Sequence, residues 1–192
     1  MTLVIALMST ALLTALGSAM VVSTMTETMI AATFRQGIEA LYAAEGAAAA
    51  VVQELEGVSD WEAIVNGEEV SPFADGPASG TRRIGAVTLD LTEATEAVNA
   101  LAEPGAGPYS LYAFGRLQGL VPGAETLSIY VLVWVADRPD PPGEESEGPG
   151  LAVISRAYGP AGSRRSVAVT LSRPVDPGSD GGVRIGSWRE LR

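Results

Sequence analysis

The first 26 residues, MTLVIALMSTALLTALGSAMVVSTMT, are apolar nearly all round a helix and include no charged side chain. At 1.5 Å per residue such a helix reaches about 39 Å, against a hydrocarbon core of about 30 Å, so it can span a bilayer with tilt. From residue 27 to 56 the pattern changes to amphipathic: there is no proline, and apolar residues recur at Ile30, Phe34, Ile38, Leu41, Ala48, Val52 and Leu55. That spacing keeps one face of a 3.6-residue helix apolar and predicts that those seven residues pack against a head. Residues 2–56 would then form one helix of about 80 Å, apolar all round in its first half and striped in its second. The run Ala47, Ala48, Ala49, Ala50 would let a head approach the helix backbone closely. Gly17 and Ser18, followed by Val21, Val22, Ser23 and Thr24, form a locally poor helix former where the helix could loosen on assembly, although membrane helices tolerate such residues.

Beyond Gly57 short apolar runs alternate with Gly, Pro and acidic residues. Residues 59–67 carry a Ser cap, a Glu three positions later and a terminal Gly, which predicts a short helix. Residues 71–83 read as loop and 84–89 as a strand. Asp90-x-x-Glu93 opens a second short helix that Pro104 ends. Four runs rich in β-branched and aromatic residues, 109–117, 126–136, 151–158 and 166–172, predict an antiparallel sheet. The last two are joined by Gly159, Pro160, Ala161 and Gly162, a hairpin connection. Residues 139–150 read as a solvated loop and 183–188 as an edge strand. The fold class expected is α+β: a long N-terminal helix of about 50 residues, hydrophobic in its first half, packed by its second half on a C-terminal antiparallel β-sheet head. The organisation is 1–26, a membrane or filament-core helix; 27–56, its amphipathic continuation; and 57–192, the head.

Composition narrows the chemistry. A chain of 192 residues holds one head plus a span, not two sizeable cores besides. A net charge of −11 argues against nucleic-acid phosphate and against polybasic attachment to anionic lipid. There is no His, no Cys and no Lys, so Ser-His-Asp and Cys-His nucleophiles, Schiff-base lysines, Walker-type phosphate loops, zinc sites and disulfides are excluded. Enzymatic activity is not expected. A cleaved secretory signal would begin with a basic stretch and hold a shorter apolar run than this one.

Two stretches carry a resemblance. MTLVIALMSTALLTALGSAM followed by TETMIAATFRQGIEALYAAEGA, and ISRAYGPAGSRRSVAV near the C-terminus, resemble type IV pilins and pseudopilins, most closely the minor pilins of the PilX and GspK type. The first is similar to that family's apolar start, Thr/Glu-rich turn, Phe-Arg and Ala-Ala-Glu on the helix. The second is similar to its strand, Gly-containing turn, paired basic residues and returning strand. The resemblance implies that Met1 is the mature N-terminus left by prepilin peptidase, N-methylated, the usual preceding Gly lying outside this numbering. It implies that Leu3, Val4, Ile5, Leu7, Leu12, Leu13, Leu16, Val21 and Val22 form the membrane and filament-core helix. Most pilins carry a glutamate at position 5, and Ile5 departs from that pattern as the PilX- and GspK-like subgroup does, which places the subunit at or near a filament tip. The implied partners are other pilin subunits, through the N-terminal helix, and the bacterial inner membrane before assembly. The implied location is single-pass in that membrane, then in an extracellular or periplasmic filament. A homopolymeric major pilin and a single-pass anchored adhesin or ligand-binding head are the alternatives.

The remaining candidates are weaker. Asp176 and Asp180, with Ser179 on a Gly-rich loop, offer oxygen ligands to calcium, although an acidic turn explains them as well; no other cofactor is expected. Asp137, Asp140, Glu144, Glu145 and Glu147 read as a solvated acidic loop. Arg164 and Arg165 could meet an anion or a neighbour's acidic surface, or simply end a hairpin. GPASGTR at 76–82 lacks the lysine of a phosphate loop, and Trp61, Trp134 and Trp188 read as packing residues.

Overall fold

A computed structural model of the chain describes residues 1–85, 87–102, 107–121, 123, 128–138, 149–159, 162–173 and 182–191. It divides into two compact units, Met1–Gln36 and Gly37–Arg192. A single helix, α1 (Thr2–Glu56), supplies all the regular structure of the first and the opening element of the second. Its stop follows from Gly57, a poor helix former, where the chain tightens into Gly57 N–H to Glu54 O and Val58 N–H to Leu55 O bonds.

The elements that follow in the second unit are α2 (Glu62–Val65), β1 (Thr81–Ile84), β2 (Val87–Asp90), α3 (Leu91–Asn99), β3 (Ser110–Arg116), α4 (Leu117–Leu120), β4 (Tyr130–Asp137), β5 (Gly150–Tyr158), β6 (Arg164–Ser172) and β7 (Arg184–Leu191). Strands β3 to β7 form an antiparallel meander in chain order, and β1 and β2 form a separate hairpin. The α+β class expected from the sequence is the class observed, with the second half of the long helix packed on the sheet.

Two layers cover the sheet unequally. The α1 side holds Val131, Val133 and Val135 of β4, Leu151, Val153 and Ala157 of β5, and Val167, Val169 and Leu171 of β6. The other side holds Phe114, Leu132 and Trp134 beneath Leu91, Ala94 and Val98 of α3, with Ile84 and Leu89 of the hairpin. Strand β4 lies under both layers, so its side chains are buried from Tyr130 to Ala136 and its sequence is continuously apolar. In β5 buried and half-buried residues alternate, because only its α1 side is fully covered.

Several local predictions change in detail. The strand expected at 84–89 is split: Ile84 ends β1, Gly85 turns with φ +59, and Val87, Thr88 and Leu89 belong to β2, while Thr81–Arg83, read as loop, belong to β1. Helix α3 is capped by Asp90, whose Oδ1 accepts from the N–H groups of Thr92 at 2.9 Å and Glu93 at 3.1 Å. It ends at Asn99 rather than at Pro104, which lies outside the described residues. There the Asn99 side chain accepts from Tyr109 N–H at 2.7 Å and donates to Tyr109 O. Helix α2 begins at Glu62, after Trp61 rather than after a Ser59 cap, and the Asp60 carboxylate accepts from Glu62 N–H. The hairpin between β5 and β6 closes through Gly159 N–H to Ser163 O and Gly162 N–H to Gly159 O, with Gly162 at φ +79.

Part of the stretch read as loop works as a strap. Ser71 N–H bonds Tyr112 O at 2.9 Å and Asp75 N–H bonds Phe114 O at 3.1 Å, so residues 71–75 close the outer edge of β3. Asp75 also accepts from the Tyr130 hydroxyl at 2.7 Å and from Arg82 Nε at 3.1 Å. Phe73 lies on Gly115 and Gly119, where an added Cβ would stand 3.0 Å and 2.9 Å from its ring. Gly119→Ala should therefore destabilise the head by about 1–3 kcal/mol, and Phe73→Leu in the same chain should recover part of that loss in thermal unfolding. Additive losses would show that the ring is not the obstruction.

Candidate functional site: an apolar helix and the sheet that holds its end

In the unit Met1–Gln36, the residues expected to form the filament-core or membrane helix are all exposed. Leu3, Val4, Ile5, Leu7, Leu12, Leu13, Leu16, Val21 and Val22 show between 54% and 79% of their surface. Helix α1 is long and apolar enough to cross a membrane. It runs unbroken through Gly17 and Val21 to Thr24. Its polar side chains turn back on the helix itself: the hydroxyls of Thr10, Thr14 and Ser18 donate to the carbonyls of Ala6, Thr10 and Thr14 at 2.8–2.9 Å. Thr24 and Thr26 do the same to Met20 and Val22. A hydroxyl moved from water into an apolar medium is costly only when it lacks a partner, so these residues leave the segment compatible with a membrane anchor.

In the unit Gly37–Arg192, the face of α1 that meets the sheet is made of small residues. Ala40, Ala43, Ala44, Ala47, Ala48, Val51, Val52 and Leu55 are buried. Of the seven helix-to-head packing residues expected, Ala48, Val52 and Leu55 are in this seam and Leu41 is half-buried beside it. Ile38 is exposed, and so are Ile30 and Phe34, at 64% and 71%, in the other unit. These three are corrections. Ile38 stands about two and a half turns before Ala47 and faces the opposite way, whereas Ile30 and Phe34 stand about five full turns before Ala48 and Val52 and share their direction, exposed within the unit Met1–Gln36. Sequence reading followed the bulkiest residues, whereas five of the eight buried positions on the helix are alanine.

The helix end is held by polar contacts from distant sequence. Arg173, just past β6, donates to the carbonyls of Ser59 at 2.8 Å, Val58 at 2.6 Å and Leu55 at 3.3 Å, and its guanidinium stacks 4.3 Å over Trp61. The last carbonyls of a helix carry partial negative charge and lack internal donors, which is what a guanidinium there supplies. Trp61 Nε1 adds a bond to Leu55 O. One residue earlier, Glu54 accepts from the Ser71 and Tyr112 hydroxyls, both at 2.8 Å. Burial, and then the Glu54 carboxylate, push the Tyr112 phenol well above its ordinary range; burial and Asp75 do the same to Tyr130. A cleft of about 500 Å³ opens beside this end, lined by Trp61, Glu62, Asn66, Asp137, Leu151 and Arg173 among others.

The other sequence candidates fall as follows. Arg165 lies on Gly37 of α1, 3.2 Å from where a Cβ would stand, and its Nε is 3.7 Å from Glu190. Arg164 is exposed. Trp61 and Trp134 are buried, the latter donating to Thr95 Oγ1, whereas Trp188 is 39% exposed on β7. Asp176 and Asp180, the calcium candidates, lie outside the described residues, as do Asp140, Glu144, Glu145 and Glu147. Among the described residues no group of three Asp or Glu side chains is placed to hold a metal ion.

Two outcomes test this interface. Ala47→Leu should lower the stability of the head by about 1–3 kcal/mol in thermal unfolding, because a larger side chain must push the helix off the sheet. The raised phenol pKa values favour the neutral tyrosines in the folded head, so their contribution is complete below about pH 10 and is lost as pH rises beyond it. Alkaline unfolding should accompany the late tyrosinate absorbance of two of the five tyrosines, and Tyr130→Phe should flatten that alkaline limb.

Comparison of the chain with family models, with characterised proteins and with solved structures finds no match.

Proposed function

We propose that this protein is a structural subunit of a type IV pilus or of a type II secretion pseudopilus, a minor pilin of the PilX and GspK type that acts in filament initiation or at the tip. The observation that carries this reading is α1: one uninterrupted helix of 55 residues, uncharged and exposed through its first half, whose last turns lie in an alanine seam on an antiparallel sheet. The family-like hairpin between β5 and β6 adds to it. The subunit waits in the bacterial inner membrane and is extracted into a filament core, where apolar helix faces of other pilin subunits replace lipid. Its work is assembly, and no catalytic step is assigned.

Ile5 supports the tip position. A subunit with no carboxylate in its first 26 residues carries no buried anion that needs a neighbour's terminal amine, whereas an internal subunit without one leaves an amine unpaired in an apolar core, at a cost of several kcal/mol. Replacing Leu3, Ile5 or Leu7 by aspartate or arginine should abolish membrane insertion or filament incorporation, read by fractionation and by immunogold labelling of sheared filaments. Normal incorporation of such variants would sink the reading. Label confined to one filament end supports the tip; label along the whole length replaces it with the major-pilin alternative.

A further inference from the structure

Strands β5 to β7 carry their charge on one face. Their only acid is Glu190, which lies opposite Val167 on the α1 side of the sheet, 3.7 Å from Arg165. The other face of these three strands has four arginines and no acid: Arg156 on β5, Arg164 on β6, and Arg184 and Arg189 on β7, opposite Ser172 and Ala168. A fifth arrives from the end of β4. The Arg138 side chain runs over Gly150, its Cδ 3.3 Å from where a Cβ would stand, and its guanidinium comes within 3.8 Å of the same position at Gly186. The second layer, α3 and the β1–β2 hairpin, lies over β3 and β4 and reaches only Ile154 and Tyr158 of β5.

A row of small side chains runs between the arginines. Along β6, Ser166, Ala168, Thr170 and Ser172 follow one another on this face, and Thr170 Oγ1 lies 2.9 Å from Ser187 Oγ of β7. Arg184 and Arg138 stand at the Ser172 end, whereas Arg156 and Arg164 stand about 20 and 27 Å farther along the strands. Arg156 is held in place, its Nε donating to Ser166 at 2.8 Å and its guanidinium 5.6 Å over the Trp134 ring. The row is thus floored by hydroxyls and flanked by planar cations.

We propose that this face binds a carboxylate-bearing polysaccharide, a chain of uronic-acid type laid along β6 with its carboxylates on the arginines and its hydroxyls on the Ser and Thr row. Ser and Thr hydroxyls both donate and accept, as sugar hydroxyls do, and the guanidinium fork matches a carboxylate two bonds at a time. A polypeptide fits less well, because β6 spends its backbone groups on β5 and β7 and an incoming strand is better met at an edge. Nucleic-acid bases find no open ring to stack on, since Trp134 is buried beneath Arg156 and Tyr158 packs against the second layer. A slender chain in the row stays within a Debye length, about 8 Å, of the arginines, so their charge outweighs the net −11 of the whole molecule. Only residues of the unit Gly37–Arg192 take part, so the binding stands or falls independently of the pilus reading.

The probe is polygalacturonate, with its carboxyl-reduced form as the uncharged counterpart. Full-length protein in neutral detergent micelles should bind immobilised polygalacturonate, and should bind the reduced polymer about tenfold more weakly. R164Q/R184Q, at two exposed positions, should lose about tenfold in affinity, whereas R35Q/R83Q, which removes the same charge from exposed positions on α1 and β1, should lose less than about twofold. R164K/R184K keeps the charge without the fork and should fall between them. Ser187→Glu, which sets an acid beside the row, should weaken binding as R164Q/R184Q does, and unchanged thermal unfolding of either variant excludes a folding cause. No binding, equal binding of the two polymers, equal losses in the two glutamine variants, or tighter binding of polyglutamate, duplex DNA or phosphatidylglycerol vesicles would each overturn the proposal.

Discussion

The seam between α1 and the sheet underlies most other contacts in the head, and on the helix it is made mainly of alanine. Five of the eight buried residues on the helix are Ala, and the sheet answers with Val131, Val133, Val153, Val167 and Val169, short branched side chains that fill a thin layer. Dense packing with small groups leaves little room for adjustment, because interiors are close-packed and do not collapse around a misfit. Closeness also brings the helix end within reach of the chain after β6. Arg173 can then bond three carbonyls between Leu55 and Ser59, and Glu54 can reach the Ser71 and Tyr112 hydroxyls. A thicker layer would strand those polar groups without partners, and a buried unsatisfied group costs about 1–3 kcal/mol.

The second layer follows from the first. Once α1 occupies one side of β4, the other side of that strand must also be covered, since its residues are apolar from Tyr130 to Ala136. α3 and the β1–β2 hairpin do this, and the strap joins the two layers at one edge. Asp75 ties the strap to Tyr130 and Arg82, while Ser71 ties it to Glu54. This second layer stops at the β3–β4 side of the sheet, and β7, paired with β6 on one side, has no strand on its other side among the described residues.

Much of this was legible in the sequence wherever the information was local. The missing prolines and Gly57 fixed the extent of α1, Asp90 announced its own cap, and Gly162 announced the turn between β5 and β6. The four strands were readable because β-branched runs bounded by turn residues have few other uses. What escaped depends on partners far along the chain. Ile30, Phe34 and Ile38 looked like the packing stripe because they are large, but the buried face is carried mainly by Ala40, Ala43, Ala44, Ala47 and Ala48. Arg173 carries no local sign that it will meet carbonyls more than a hundred residues earlier. Gly85 reads from the sequence as a residue within a strand, and the pairing of Arg83 with Thr88 shows that the chain turns there.

The helix itself offers little specificity. The hydroxyls of Thr10, Thr14 and Ser18 are satisfied by the helix's own carbonyls at Ala6, Thr10 and Thr14, so this part of the segment presents an apolar surface with few directional demands. Such a surface packs against lipid or against another apolar helix with little difference in polar desolvation, and association then rests on shape and dispersion alone. On the pilus reading, this makes passage from membrane to filament inexpensive, but it also means that the helix cannot choose its neighbour. Selection must come from groups that distinguish one partner from another through charge and hydrogen bonding, because a mismatched pair there is penalised and a mismatched pair of apolar helices hardly is. In this chain all twelve arginines and all twenty-three acids lie beyond residue 26, outside the apolar segment.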